Sequence, residues 1–329
     1  MQRLASKTSR WIPTTNISLI AGLMFFFVSC DINNNDDFAP STGNSNSNGI
    51  LMGNADTRSN GTIVQLGSIQ AVTEGTTSLK NVANRMEIPR LKGGTNNLFV
   101  VHTVPTYGVN YCIEWDKSLR AQRWTAYRWD KRNSVNNTSR TNEWAEDPLI
   151  PINCRTTLED HRNNNYDRGH IIASQDRVCS YEANVQTFYM SNMHPQLSGF
   201  NGEGSIWWNL ENRLRSVYNK DSFRDTLYVV KGGTISEGKY TYAKNKIPVP
   251  DYFFMAILRK RNDISFNGGY AAIGFWMEHK ENTDTDYSKY AVSIDELERK
   301  TGLDFFCNLP DKIETEVELT YSSTVWLNK

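Results

Sequence analysis

The sequence predicts an α+β fold, in which a mixed antiparallel β-sheet core is flanked by helices. Short strand-like runs bounded by Gly, Pro or Asn dominate the chain from about residue 61 onward. One amphipathic helix separates two strand-rich halves, and a second helix follows the later half. This order differs from the regular alternation of strand and helix that builds a parallel α/β sheet.

The strands are predicted from short apolar runs, one of which alternates apolar and polar residues as a half-buried strand does. The runs are 62–66, 98–104, 111–115, 124–129, 226–230, 252–258 and 270–277.

Two helices are predicted from periodicity and capping. Over residues 206–218, apolar side chains recur every three or four positions and form one face. These side chains are Ile206, Trp207, Leu210, Leu214, Val217 and Tyr218. Residues 293–299 form the second helix, with Ser293 as N-cap and Glu296 three residues later, which is a capping box.

Composition excludes several classes of protein. The chain has 329 residues, of which 39% are hydrophobic, and its 36 basic residues balance 36 acidic ones. That length is ample for a packed core, and the balanced charge argues against a disordered tail. A net charge of zero leaves nucleic-acid binding open, because local basic patches bind phosphate.

The first 29 residues have the pattern of a bacterial lipoprotein signal peptide. Arg3, Lys7 and Arg10 form a basic region, and an apolar run and a small residue precede Cys30. We expect cleavage before Cys30 and its lipidation, so that the exported protein is anchored to the bacterial membrane, periplasmic or at the cell surface. An uncleaved anchor and an ordinary signal peptide are the alternatives. Residues 30–60 are rich in Asn, Ser, Asp and Gly and are predicted to form a flexible tether.

Four further cysteines match no zinc-site spacing. In an exported chain they allow up to two disulfides in three possible pairings, and buried thiols are equally compatible with the sequence. They are Cys112, Cys154, Cys179 and Cys307.

One of the five histidines stands out by its neighbours. In Asp167-Arg168-Gly169-His170, the guanidinium and the imidazole lie two residues apart, and an extended chain would project both to the same side. Arginine binds phosphate oxygens, and a neutral imidazole can take a proton from water. The glycine would let a bulky substrate approach the backbone. The tetrapeptide therefore indicates phosphate chemistry.

Further motifs follow the tetrapeptide in a fixed order. They are Met-Ser-Asn-Met-His-Pro-Gln at 190–196, Phe-Asn at 200–201 and Trp-Trp-Asn-Leu-Glu at 207–211. Together they resemble the DNA/RNA non-specific endonuclease family, whose fold contains a ββα-metal (His-Me) finger. The resemblance covers roughly residues 95–310. We therefore expect an endonuclease domain at 95–329, preceded by a strand and loop extension at 61–94.

The resemblance implies an activity and the residues that carry it. The family hydrolyses phosphodiester bonds of DNA and RNA and leaves 5′-phosphate ends. His170 matches its general base, and Arg168 matches the arginine near the phosphate. A second catalytic arginine of the family lies upstream, where Arg140 is the nearest match in an uncertain register.

The resemblance also implies a metal site. Asn201 matches the one side-chain ligand of Mg²⁺, which Mn²⁺ could replace, and Glu211 matches an acid that holds the metal's waters. Asn192 matches an asparagine that supports the site by hydrogen bonding. Two departures are the longer segment 202–206 after Asn201, which could shift the metal ligand, and Phe188, where some members carry asparagine.

Basic residues are concentrated just upstream of the tetrapeptide, within residues 117–140. Such a patch is expected to hold the nucleic-acid backbone independently of base sequence. The predicted contacts are Arg120, Arg123, Arg128 and Arg132. Trp124, Tyr127 and Trp129 interleave with them, and we expect these rings to pack in the core rather than stack on bases.

Two other functions remain open at this point. The chain could be a non-catalytic surface lipoprotein that binds nucleic acid, or a metal-dependent phosphodiesterase that acts on another polymer. The intact set of matching residues favours the nuclease. The sequence leaves the preference for DNA or RNA open, and a homodimer is compatible with it.

Overall fold

The computed structural model describes residue 61 and residues 63–74, 76–162 and 164–328. The predicted signal peptide, Cys30 and the tether lie outside the described residues. The strands are β1 (Val64–Leu66), β2 (Ile69–Thr73), β3 (Asn97–Val104), β4 (Gly108–Asp116), β5 (Ala121–Asp130), β6 (Asp167–His170), β7 (Met193–Gln196), β8 (Thr226–Gly233), β9 (Tyr240–Tyr242), β10 (Pro248–Pro250), β11 (Tyr252–Lys260), β12 (Tyr270–Glu278) and β13 (Ala291–Val292).

The helices are mostly short. The α-helices are α1 (Leu79–Ala83), α2 (Tyr181–Gln186), α3 (Ser198–Asn201), α4 (Ile206–Arg213), α5 (Ile294–Thr301), α6 (Asp311–Leu319) and α7 (Ser323–Trp326). Single turns of 3₁₀-helix are Glu159–His161, Ser174–Arg177, Met190–Asn192, Phe266–Gly269 and Tyr287–Tyr290, and Leu214–Tyr218 is a π-helical turn that continues α4.

Nine of the described strands form one sheet in the order β1-β2-β3-β4-β5-β8-β11-β12-β13. Neighbouring strands are antiparallel except β2 and β3, which run parallel. Two ribbons, β6 with β7 and β9 with β10, stand apart from it. The predicted α+β fold with a mixed, mainly antiparallel sheet is confirmed. The segment 61–94 supplies β1, β2 and α1, of which the sequence analysis predicted only β1.

The sheet carries a packed core on each face. On β5, Tyr127 and Trp129 point into the first core, whereas Trp124 and Ala126 point into the second. All four are almost fully buried, because alternate side chains of this strand pack into the cores on the two faces of the sheet. The prediction that Trp124, Tyr127 and Trp129 pack in the core is confirmed. Helices α3, α4 and α7 cover the first core, and α1, α5 and α6 cover the second.

The two predicted helices form where the sequence places them. Helix α4 buries Trp207 and Leu210 in the first core, and the Trp207 ring stacks on Phe200 with ring centroids 5.7 Å apart. Helix α5 starts at the predicted cap, where the Ser293 hydroxyl accepts a hydrogen bond from the Glu296 amide (3.1 Å). It ends at Gly302, whose left-handed φ of 71° suits glycine.

The cysteines do not bridge one another within the described residues. Cys112 and Cys179 are buried, and burial raises the pKa of the Cys307 thiol to about 11. Cys112 and Cys179 therefore follow the alternative of buried thiols. Among the helices described, none combines the length and the apolar character needed to cross a membrane.

Two histidines are buried close to the segment that carries His170, His194 on β7 and His161 in the 3₁₀ turn before β6. His194 is opposite Gly169 and is 1% exposed, and burial lowers its pKa to about 3. Burial likewise lowers the pKa of His161 to about 4. In an unfolded chain both would take up a proton near the ordinary value of 6.5, whereas the folded protein does not until the pH is much lower. Acid therefore favours the unfolded state.

We predict that the free energy of unfolding falls as the pH is lowered from 6 to 4, and that His194→Gln makes this fall shallower. Glutamine keeps a side-chain amide that can donate to the Gln122 backbone but takes up no proton. The slope should decrease by up to about 1.4 kcal/mol per pH unit, because one proton fewer is bound on unfolding. Urea denaturation at several pH values measures it. Equal slopes for the two proteins would contradict the prediction.

Candidate active site

The tetrapeptide and the motifs after it form a ββα unit. Strand β6 pairs with β7 so that His170 faces Met193, and helices α3 and α4 follow in the chain. Helix α3 packs on β6, which brings the helix end carrying Asn201 beside the strand carrying His170. The predicted ββα-metal finger is therefore confirmed.

His170 is fixed between two aromatic rings. Its imidazole lies 5.2 Å from Trp144 and 4.9 Å from Phe188, measured between ring centroids, and both rings meet it edge-on. Burial lowers the pKa of His170 to about 3, and the positive charge of Arg140 adds to the effect. The imidazole is therefore neutral near pH 7 and has a lone pair that can accept a proton. Its Nε2 has no hydrogen-bond partner among the described residues.

Two arginines pack on the same rings. The guanidinium carbon of Arg140 lies 4.8 Å from the Phe188 centroid, and that of Arg168 lies 4.2 Å from the Trp144 centroid. Arg140 also donates to Asn142 Oδ1 (2.8 Å) and Ser174 Oγ (2.9 Å), which fixes its direction. The arrangement brings two cations to one neutral imidazole, as binding of a phosphate anion requires.

Trp144 and Phe188 are the residues that the sequence analysis missed. Phe188 was treated as the loss of a polar contact, yet its ring forms one wall of the His170 site and faces Trp144 at 5.0 Å. Trp144 lies four residues after Arg140 in the same loop. An arginine followed by a nearby tryptophan is a signal that could have pointed to this shared packing.

Asn192 does not belong with the residues that contact substrate. It is fully buried, its Oδ1 accepts from the Ile172 amide (2.9 Å), and its Nδ2 donates to the carbonyls of Ile172 (3.0 Å) and Thr187 (2.8 Å). These contacts agree with the supporting role by hydrogen bonding that the resemblance implies. Asn192 positions the segment that follows His170.

The structure gives a different reason for a glycine at position 169 from the one that the sequence suggested. A Cβ atom there would lie 2.0 Å from Gln196 Oε1, so a larger residue would collide with a buried side chain. Glycine is required because Gln196 covers this backbone from the neighbouring strand. The expected approach of a substrate at Gly169 was therefore wrong.

Asn201 ends α3 and is partly exposed. Its carboxamide makes no hydrogen bond with any residue that the structure describes, which leaves the amide oxygen available to a cation. The longer segment after it, residues 202–205, separates α3 from α4, and the Ser205 hydroxyl donates to the Phe200 carbonyl (2.5 Å). In this structure α3, which ends at Asn201, is a separate short helix that contacts β6.

Glu211 is engaged by basic side chains. Its Oε1 accepts from Lys231 Nζ (2.9 Å), and Arg215 lies 3.9 Å from its Oε2. Lys231 also donates to Asp176 Oδ2 (3.1 Å), and Tyr127 donates to the same oxygen (2.6 Å). Burial alone would raise the pKa of Asp176, but Lys231 and Arg215 hold it below its usual range.

The expectation that Glu211 orients waters of a metal therefore gains no geometric support, because its carboxylate is buried and paired. Its partner Lys231 is fully buried as well. The sequence analysis did not single out Lys231, since the partners that reveal its role come from distant parts of the chain.

The predicted basic patch is not one surface. Arg120 pairs with Asp160, Arg123 with Glu114 (3.3 Å) and Arg128 with Asp130 (4.0 Å). Arg132 donates to the Tyr107 carbonyl (3.2 Å).

Arg123 lies on the side of the second core, away from His170. Its partner Glu114 also accepts a hydrogen bond from Trp124, whose ring is buried in that core. Arg123 also lines a groove of about 900 Å³ together with Leu303 and Asp304. Arg123 therefore does not share a surface with His170. Arg120 and Arg128 pair with acids, whereas Arg132 has no acidic partner among the described residues, and their contact with nucleic acid stays a prediction.

Comparison with known proteins agrees with this geometry. A model of the family described as "DNA/RNA non-specific endonuclease" matches residues 96–312. A nuclease of Nostoc sp. is 30% identical over 214 residues, which cover 63% of this chain and 75% of the relative. Nuclease C1 of Cunninghamella echinulata is 32% identical over 61% of this chain and 81% of its own length.

A solved structure supports the same conclusion. A chain in the crystal structure of the EndoG/EndoGI complex, which describes the inhibition of EndoG, matches with a TM-score of 0.52. It is 25% identical in sequence, and the match covers 61% of this chain and 85% of the other. Together with the ββα unit around His170, these matches show that the chain belongs to the DNA/RNA non-specific endonuclease family and is a hydrolytic nuclease.

Proposed function

We propose that this nuclease hydrolyses phosphodiester bonds of both DNA and RNA without reading base sequence, with His170 as general base and 5′-phosphate ends as products. The observation that supports this assignment is the neutral imidazole held between Trp144 and Phe188, next to the guanidinium groups of Arg140 and Arg168. This set offers a proton acceptor and two phosphate-binding cations within one site.

In the proposed reaction, His170 accepts a proton from a water molecule that lies in line with the phosphorus atom. The water oxygen forms a bond to phosphorus while the bond from phosphorus to the 3′ oxygen breaks, and the 3′ oxygen leaves with a proton from solvent. Arg140 and Arg168 hold the non-bridging oxygens and offset the extra negative charge of the transition state. Because these contacts go to phosphate, they carry no base preference.

Asn201 fits the proposed magnesium site. Mg²⁺ prefers oxygen ligands and keeps several of its waters, so one amide oxygen that is free of protein hydrogen bonds is a suitable ligand. When bound there, Mg²⁺ or Mn²⁺ would supply a Lewis acid that neutralises charge on the phosphate and the leaving oxygen. Helix α3 contributes by holding this amide beside β6.

We further propose that the protein is exported and anchored by a lipid at Cys30, on the periplasmic side or at the cell surface. The support is the basic region, the apolar run and the small residue before Cys30 in the sequence.

His170→Ala should lower kcat for plasmid cleavage by a factor of roughly 10²–10⁴, the usual contribution of a general base, with a much smaller change in KM. The phosphate-binding arginines are retained in this variant, so binding should persist. Nicking of supercoiled plasmid measures the rate, and an unchanged unfolding temperature shows that the fold is intact. Cleavage at a near wild-type rate would refute the assignment.

Asn201→Ala should raise the Mg²⁺ concentration needed for half-maximal cleavage at least tenfold, because the one proposed protein ligand is removed. Asn212→Ala is the matched control, since Asn212 is exposed on α4 and has no hydrogen bond from its side chain to the described residues. The measurement is the cleavage rate across a Mg²⁺ titration. If both variants titrate like wild type, Asn201 is not the ligand.

Cys30→Ser should move the full chain from the membrane fraction to the aqueous fraction of expressing bacteria, because serine cannot take the thioether-linked lipid. Immunoblotting of separated fractions measures the distribution, and Cys307→Ser serves as the matched control. Retention of the Cys30→Ser protein in the membrane fraction would argue for an uncleaved anchor instead.

A further inference from the structure

Three acidic side chains meet where α5 packs on α6. Asp295 and Glu298 lie one turn apart on α5, and Glu318 reaches them from the last turn of α6. One carboxylate oxygen from each lies within 4.8 Å of one from each of the other two. Like charges repel at this separation, so the arrangement needs a compensating positive charge or a loss of ionisation.

None of the three forms an ion pair with a lysine or arginine that the structure describes. Neighbouring acids do have such partners, since Glu296 pairs with Arg299 and Lys300 and Asp304 pairs with Arg90.

Glu318 points into the cluster from a buried position. Glu318 is only 6% exposed, and its Oε1 has no hydrogen-bond partner among the described residues. The charged groups that act on it are all acidic, namely Glu298, Glu314, Asp295 and Asp304. Burying an unpaired carboxylate is strongly unfavourable, so an unpartnered oxygen here marks a place for a ligand with positive charge.

The surroundings of the two glutamates favour their uncharged forms. Burial and the acidic neighbours raise the pKa of Glu318 to about 9, and burial raises that of Glu298 to about 7 despite a hydrogen bond from the Phe305 amide (2.7 Å). A bound divalent cation would lower both values and allow all three groups to ionise.

We propose that Asp295, Glu298 and Glu318 bind one Ca²⁺ ion that joins α5 to α6. Calcium takes oxygen ligands in flexible geometry, which suits three carboxylates that come from two different helices. Mg²⁺ fits less well, because it demands near-ideal octahedral geometry and gives up its waters reluctantly.

This site is separate from the catalytic one. Ile294 and Leu297 of α5 and Val317 of α6 pack into the second core, whereas α3 and α4 cover the first core on the other face of the sheet. Calcium at α5 and α6 therefore stabilises the C-terminal helices and takes no part in hydrolysis. With three carboxylates, we expect a dissociation constant on the order of 10⁻⁴ M.

The test is thermal unfolding of the full chain in detergent micelles, at pH 7.5, in EGTA and in increasing CaCl₂. The unfolding temperature should rise with Ca²⁺ and saturate, by roughly 4–8 °C at a hundredfold excess over the dissociation constant. MgCl₂ at the same concentrations should produce a smaller rise.

Variants assign the effect to the cluster. Glu318→Gln and Asp295→Asn should abolish the Ca²⁺-dependent rise, while Glu316→Gln, an exposed position on the same helix, should keep it. Glu318→Gln should cleave plasmid at the wild-type rate in Mg²⁺. Asn201→Ala should keep the rise, so that failure of the proposed catalytic metal site and failure of this site are distinguishable.

Two results would overturn the proposal. One is a wild-type unfolding temperature that does not respond to Ca²⁺, which would mean that the carboxylates share protons instead. The other is a Ca²⁺ response that persists in both Glu318→Gln and Asp295→Asn, which would place the ion elsewhere.

Discussion

The interaction on which the site depends is the buried contact of Lys231 with Asp176 and Glu211. Lys231 lies on the central strand β8, Asp176 lies six residues after His170, and Glu211 lies on α4. Charges that are removed from water are tolerated only when all partners are present, so this group permits little displacement of any member. It therefore fixes the ββα unit in one position relative to the sheet.

In that position the ββα unit holds the weakly basic imidazole of His170 close to the guanidinium groups of Arg140 and Arg168. Trp144 and Phe188 pack against His170 and present their ring faces to Arg168 and Arg140, which offsets part of the cost of holding the guanidinium groups there. Burial, together with the positive charge of Arg140, keeps the imidazole neutral. In the proposed reaction a phosphodiester anion would supply the negative charge that the two guanidinium groups attract, so that substrate binding also compensates the charge of the site.

The sheet separates two kinds of chemistry. Its first face carries the ββα unit, whose basic and aromatic groups surround His170, and its second face carries α5 and α6, where Asp295, Glu298 and Glu318 meet without an ion pair to a described lysine or arginine. The described tryptophans of β5 illustrate the separation, since Trp129 serves the first core and Trp124 the second. Arg123 and Trp124, which are neighbours on β5, lie on the side of the second core and therefore take no part in the site around His170.

Local periodicity was enough to predict the α+β class, seven of the nine strands of the main sheet and helices α4 and α5, because each of these elements depends on residues that are close in the sequence. The ββα unit around His170 was predicted from the order of the motifs. Short elements such as α1 and α2 escaped prediction, since tertiary packing rather than periodicity stabilises them. Three contacts follow only from the tertiary structure. The Phe188 ring packs against His170, Arg123 pairs with Glu114, and Lys231 pairs with Glu211. Each of these contacts joins side chains whose separation and direction are set only once the sheet has assembled, and no local pattern encodes them.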